Sequence, residues 1–105
     1  MFPGYEDVEE PLLCFILFHG GPQHQVRASD TYRPLADFFG LSAAQRHEVL
    51  DDGTGRPKWN NMVQWARRKL KERSLLADAG YGVWKLSDKG LMEGQRIQSK
   101  YTKLK

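Results

Sequence analysis

The sequence predicts a mainly helical α+β domain that closes with a small β-hairpin. Three observations predict it. Apolar residues recur at helical spacing through most of the chain. Two short apolar runs, at 75–77 and 83–86, flank a loop with two glycines. The 105 residues, 40% hydrophobic and 11% aromatic, support a single small core rather than a disordered chain.

The first helix is expected from Pro11 to His19. Proline suits a first turn, and Gly20-Gly21 offers a stop. This helix is apolar nearly all round, which marks it as the buried central one. Its apolar run, Leu12 to Phe18, is far too short to span a membrane. It follows Glu9 and Glu10 rather than basic residues, unlike a signal peptide. The single cysteine, Cys14, lies in that run and reads as a core thiol in a reducing compartment. Gln25-Val26-Arg27 fits a short strand.

Ser29 is expected to cap a helix through Phe39, with Tyr32, Leu35, Ala36 and Phe39 on one stripe. Pro34 bends that helix or delays its start, and Gly40 ends it. Ser42-Ala43-Ala44-Gln45 is a capping box that opens another short helix. Asp51 to Pro57, rich in Gly, Asp and Thr, is expected to be the least ordered internal segment.

The next helix is expected from Asn61 to Arg73, capped by Asn60, with no Gly or Pro inside it. Met62, Val63, Ala66 and Leu70 fall on one stripe. Trp59 can staple onto the first turn. The opposite arc carries Asn61, Gln64, Arg67, Arg68 and Lys71, with Trp65 at the seam. Such an arc is either an ordinary solvated face or a surface for a polyanion.

The hairpin follows at once. Trp84 and Leu86 share one face of its second strand, Val83 and Lys85 the other. Tyr81 sits at the tip with no core to enter. Ser87-Asp88-Lys89-Gly90 reads as a cap or turn, and the chain after Gly90 as a last helix, a linker or a fraying end. Helix then hairpin is the layout of a winged helix-turn-helix. The domain is expected over residues 8–94, with a basic C-terminal tail or linker over 95–105.

Charge is divided along the chain. Residues 1–55 hold three basic side chains against nine acidic, a balance of −6, and residues 56–105 hold thirteen against four, +9. The formal net charge of +3 therefore hides a strongly basic second half, the footprint of a polyanion partner.

Enzyme chemistry finds no support. There is no cysteine pair and no HExxH, and His19, His24 and His47 are scattered, so neither metal nor cofactor is implied. Gly53 to Lys58 lacks the spacing of a phosphate loop. The common nuclease core needs an acidic residue two positions before a lysine, and none of the eight lysines has one.

Several of these segments together resemble a family. Pro11-Leu12-Leu13, Gly20-Gly21, Leu41-Ser42, Trp59 to Arg67, Leu70, Leu75-Leu76, Gly82-Val83-Trp84 and Leu86 to Gly90 are similar to the N-terminal domain of Mrr-type restriction proteins. The resemblance covers about residues 8–94. It departs at Arg73-Ser74, where the family usually has Ala-Gly, and at Ser87, usually Thr. It implies a winged-helix DNA-binding module in the prokaryotic cytoplasm, commonly fused to a restriction nuclease that lies outside these 105 residues. Related winged helices in modification-dependent restriction enzymes recognise methylated DNA.

The expected partner is double-stranded DNA, with N6-methyladenine, with 5-methylcytosine or unmodified, the basic helix lying in the major groove and the wing on the backbone. Asn61, Gln64 and Arg68 are the candidates for base edges. Lys58, Arg67, Lys71, Tyr81 and Lys85 are the candidates for the sugar-phosphate backbone. Trp59 and Trp65 are each either core or a contact for a methyl group. Two other classes stay open: a winged helix that binds an acidic protein, and one that dimerises or positions a partner enzyme.

Overall fold

The computed structural model describes residues 2–105 and is α+β, mainly helical. Its first helix, α1 (Tyr5–His19), begins well before Pro11. Glu6 and Asp7 complement the positive end of its dipole, and the Asp7 carboxylate accepts from the Gly4 N–H at 3.0 Å. Pro11 therefore stands inside the helix. It lacks an N–H for the Asp7 carbonyl, but its ring is fully buried and packs in the core. Val8, Leu12, Leu13, Cys14 and Ile16 are buried with it, as expected of a central helix.

Gly20 brings the chain past the end of α1 so closely that a Cβ there would meet the backbone N of Gln25 at 2.6 Å. Strand β1 (Gln25–Arg27) follows where expected. Ser29 does not cap a helix. It lies in a 3₁₀ turn (Ala28–Asp30), and α2 (Tyr32–Phe38) starts later. Pro34 thereby falls in the first turn, where its missing N–H costs no intrahelical bond. Gly40, at φ +64°, ends the segment. In α3 (Ala43–His47) the capping box is present: Ser42 Oγ accepts from Gln45 N at 3.1 Å, and Gln45 Oε1 accepts from Ser42 N at 2.8 Å.

The segment from Glu48 to Lys58 is pinned rather than loose. Val49 and Pro57 form an antiparallel bridge. Leu50 N donates to the Arg56 carbonyl at 2.9 Å, and Lys58 N to the Glu48 carbonyl at 2.8 Å. Within it Asp52 accepts from the Thr54 hydroxyl (2.6 Å) and backbone N–H (3.0 Å). These bonds, with the Arg56 guanidinium, hold its carboxyl below the usual carboxylate range. The link between α3 and the next helix is thus longer than the turn of about three to four residues in a tight helix-turn-helix.

Helix α4 (Lys58–Glu72) starts earlier than an Asn60 cap allows, and Asn60 lies inside its first turn. Tertiary contacts fix that start: the Val49–Pro57 bridge from outside, and Trp59 from below. The far end of α4 closes as a Schellman motif, with Leu75 N bonded to the Leu70 carbonyl and Ser74 N to the Lys71 carbonyl, both at 2.9 Å. That motif places Ser74 in the left-handed region at φ +64°.

Strands β2 (Leu76–Ala77) and β3 (Val83–Leu86) form the expected hairpin. The antiparallel sheet has the order β1-β3-β2, with Val26 opposite Trp84 and Leu76 opposite Leu86. Trp84, Leu86, Val26 and Leu76 are buried, while Val83 and Lys85 take the outer face. Ser87 caps α5 (Asp88–Ile97): its Oγ accepts from Gly90 N at 3.0 Å and donates to the Ser74 carbonyl at 2.7 Å. Gly90 sits so close to the Leu75 carbonyl that any Cβ would clash with it.

Of the three readings for the end of the chain, the helix is realised. Beyond Ile97 a 3₁₀ segment (Gln98–Leu104) folds back on α1. Ile97 and Leu104 join the same core as Val8 and Leu12, so residues 95–104 are packed rather than a free linker. Tyr101 Oη donates to Glu10 at 2.7 Å, and His19 Nε2 to the Leu104 carbonyl. Burial first, then the Glu10 hydrogen bond, push the Tyr101 hydroxyl well above its ordinary range. Burial, with Glu10 and Glu93 nearby, pushes the Cys14 thiol up to about 11.

Candidate nucleic-acid interface

Helix α4 divides cleanly. Val63, Ala66 and Leu70 face the core. Gln64, Trp65, Arg68 and Lys71 are exposed, and Asn61 and Arg67 are half-buried. The Arg68 guanidinium lies 5.3 Å over the ring of Trp65, which is 43% exposed. The seam residue is therefore on the surface, held flat by a cation.

Two grooves run along this face. One, of about 640 Å³, lies between α4 and the 50–56 loop, lined by Asp51, Asp52, Arg56, Asn61, Trp65 and Arg68. The other, of about 620 Å³, lies between α4, β1 and the β2–β3 loop, lined by Arg27, Ser29, Tyr32, Tyr81, Val83 and Trp84. Gln64 and Arg67 border both. Gln64 Nε2 donates to Tyr32 Oη at 3.0 Å, which fixes the amide at the crest between them. Arg67 Nε is shut off from water and has no partner.

Most cations of the basic half have a carboxylate nearby. Lys58 pairs with Glu48 at 2.9 Å, Lys71 with Asp78 at 3.0 Å, Lys69 with Glu72 at 3.4 Å and Arg56 with Asp52 at 3.3 Å. These pairs are largely exposed, so each stabilises the fold by no more than about 1 kcal/mol and exchanges readily for another anion. Among the described residues, Arg67 and Lys85 form no ion pair. No three His, Cys, Asp or Glu side chains gather there in a metal-binding arrangement.

The structure brings Asn61, Gln64, Trp65, Arg67 and Arg68 to one face, with Tyr81 across a groove. Tyr81 is fully exposed at the tip, between Gly80 and Gly82, both at positive φ. Lys58 and Lys71 stand at the two ends of α4, outside both grooves, and so does Lys85 on β3. Trp59 does not reach the surface as a methyl contact. It is 3% exposed, donates from Nε1 to the Tyr32 carbonyl at 2.8 Å, and packs edge-on against Phe39 at 5.8 Å. A tryptophan one residue into a helix turns inward when the preceding helix supplies an acceptor and an aromatic wall. The sequence reading missed Arg27, Ser29, Tyr32 and Arg56. Arg27 carried a signal: alternation in Gln25-Val26-Arg27 puts it on the outer face once Val26 is inside.

The model of the Mrr N-terminal domain family matches residues 5–93. The chain belongs to that family. No curated protein and no solved structure matches it. The Mrr N-terminal family is that of an N-terminal rather than a nuclease domain, and it points to a module of a restriction system. No helix among the described residues is long and apolar enough to cross a membrane.

Proposed function

We propose that this domain is a non-catalytic winged-helix module that binds double-stranded DNA for a restriction nuclease encoded elsewhere in its parent chain. The observation that carries this reading is the polar arc of α4, with Gln64 and Arg68 exposed and Asn61 and Arg67 half-buried, beside a protruding hairpin tip. A helix of 15 residues with one bare polar face fits the major groove, while a tip with a flat side chain fits a sugar-phosphate edge. The strand order β1-β3-β2, with α4 running into the hairpin, supports the winged-helix assignment.

Asn61, Gln64 and Arg68 read base edges in this account. Arg67, Lys71 and Tyr81 hold the backbone, with Lys58 and Lys85 as outlying contacts. Sensing of N6-methyladenine or 5-methylcytosine then falls to Trp65. A methyl group offers no hydrogen bond, so a reader meets it with apolar surface and gains about 1 kcal/mol or less. The Trp65 ring is the apolar surface this face presents.

The test is binding of the chain to pooled random duplexes, with and without adenine or cytosine methylation, at near-physiological salt. Neutralising some four to six phosphates gives a log-log salt slope of about −4 to −5. A slope near zero ends the DNA reading. Equal affinity for all methylation states ends the sensing part alone. A stoichiometric protein complex that duplex competitor cannot displace replaces the reading with a protein-docking winged helix.

A further inference from the structure

We propose that the groove between β1, α4 and the β2–β3 loop seats one phosphate of a DNA strand, with Arg27 and Arg67 as its donors. The inference rests on the DNA reading above and adds β1 and the turn after it to the contact surface.

The groove has room, at about 620 Å³, and among the described residues no carboxylate lines it. The groove on the other side of α4 is lined by Asp51 and Asp52 beside Arg56 and Arg68, and Asp52 already pairs with Arg56. Arg67 borders the carboxylate-free groove and forms no ion pair among the described residues. A charged oxygen is the acceptor a guanidinium meets best. Arg27 lines the same groove, placed there by its register opposite Val83 on the outer sheet face. Its 3.3 Å pair with Asp30 is exposed on both sides and gives way to a phosphate readily. Ser29 adds a hydroxyl donor at the rim.

The spacing of the groove is set in advance. Ala28 N donates to the Gly82 carbonyl at 2.8 Å, which ties the tip loop to the turn that carries Ser29. Tyr32, Val83 and Tyr81 supply the apolar wall against which a deoxyribose rests. A preorganised wall with a charged floor fits a sugar-phosphate unit better than a free base edge.

The experiment measures duplex affinity against salt for the wild-type chain, Arg27→Ala, Arg67→Gln and Lys103→Ala. Each groove variant should flatten the log-log slope by about 0.9 and weaken binding about five- to tenfold at 0.1 M salt. Lys103→Ala, which removes a charge outside both grooves, should leave the slope unchanged. A scan of single methylphosphonate substitutions along each strand adds position. One neutralised phosphate should weaken the wild type more than it weakens Arg27→Ala. Arg27 is exposed, so its variant folds whatever Arg67→Gln does. Wild-type binding with an unaltered slope in Arg27→Ala overturns the proposal alone. Failure of the wild type to bind any duplex overturns it together with the DNA reading.

Discussion

Helices α1 and α4 are each 15 residues long and lie against one another, yet they do opposite work. α1 is enclosed by α4, α5, the sheet and the terminal 3₁₀ segment, and most of its surface is spent on the core. α4 gives one stripe to α1 and keeps the other free. The difference teaches that burial, not helix length or capping, decides which helix is available to a partner. A single tryptophan pair on α4 shows the same division at residue scale: Trp59 inside, Trp65 outside.

That division is broken most forcefully at Trp59. Trp59→Ala removes a buried ring and its Nε1–H bond to the Tyr32 carbonyl, and should cost about 3–5 kcal/mol, read as a lowered urea midpoint. Trp65→Ala should change stability by no more than about 0.5 kcal/mol and instead shrink the ratio of methylated to unmethylated affinity. Equal losses of stability in the two variants would erase the inside–outside contrast.

The ends of the two helices give a smaller contrast. α4 closes on Ser74 in the left-handed region, a conformation that costs an L-residue about 1–2 kcal/mol. Ser74→Gly should therefore raise stability by about 1 kcal/mol, with the Schellman bonds intact. No gain in thermal midpoint would mean that the Ser74 side chain contributes as much as its backbone loses.

On the α1 side the tie between Tyr101 and Glu10 sharpens the picture of a sealed helix. Tyr101→Phe should cost about 1 kcal/mol by leaving Glu10 short of a donor. Tyr101 and Cys14 are both held in their neutral forms. The unfolded thiol ionises near 9.0 and the folded one only at about 11. The contribution of the neutral thiol to stability is thus fully present below pH 9 and is lost as pH rises toward 11, because the unfolded chain releases its proton first. A denaturation midpoint that stays flat over that range would show that α1 is wetter than described.

The smallest effect belongs to the exposed end of α4. Lys71→Ala breaks only an exposed pair with Asp78 and should leave stability within about 0.5 kcal/mol. Its reading is the salt slope, which should flatten by about one unit for every duplex alike. A change confined to one sequence would move Lys71 from the backbone to a base edge.

The elements that were legible from sequence are those whose cause is local. The stripe Val63, Ala66, Leu70 follows from the helical period. The Ser42–Gln45 box closes within its own four residues, and alternation alone separates Trp84 and Leu86 from Val83 and Lys85. What could not be read depends on residues far away in the chain. Trp59 turns inward because of a carbonyl 27 residues earlier. Pro11 is tolerated inside α1 because other elements bury its ring. Ser29 fails as a cap because Pro34 is better placed in a first turn. The tail is packed because Glu10 and His19 offer it partners. The candidate face followed the same rule: its α4 residues were visible in the period, while Arg27 joined it through the pairing of β1 with β3 and Tyr32 through its hydroxyl's bond to Gln64.

The thiol of Cys14 gives this fold an internal clock. It is the chain's one cysteine, it is fully buried, and at neutral pH almost none of it is thiolate. An alkylating reagent can therefore modify it only during moments when α1 is uncovered. The rate of modification under native conditions counts those openings directly. If the proposed duplex binds across α4, which packs on α1, it should slow that rate in proportion to occupancy, so a buried thiol becomes a measure of a binding event on the far side of the neighbouring helix.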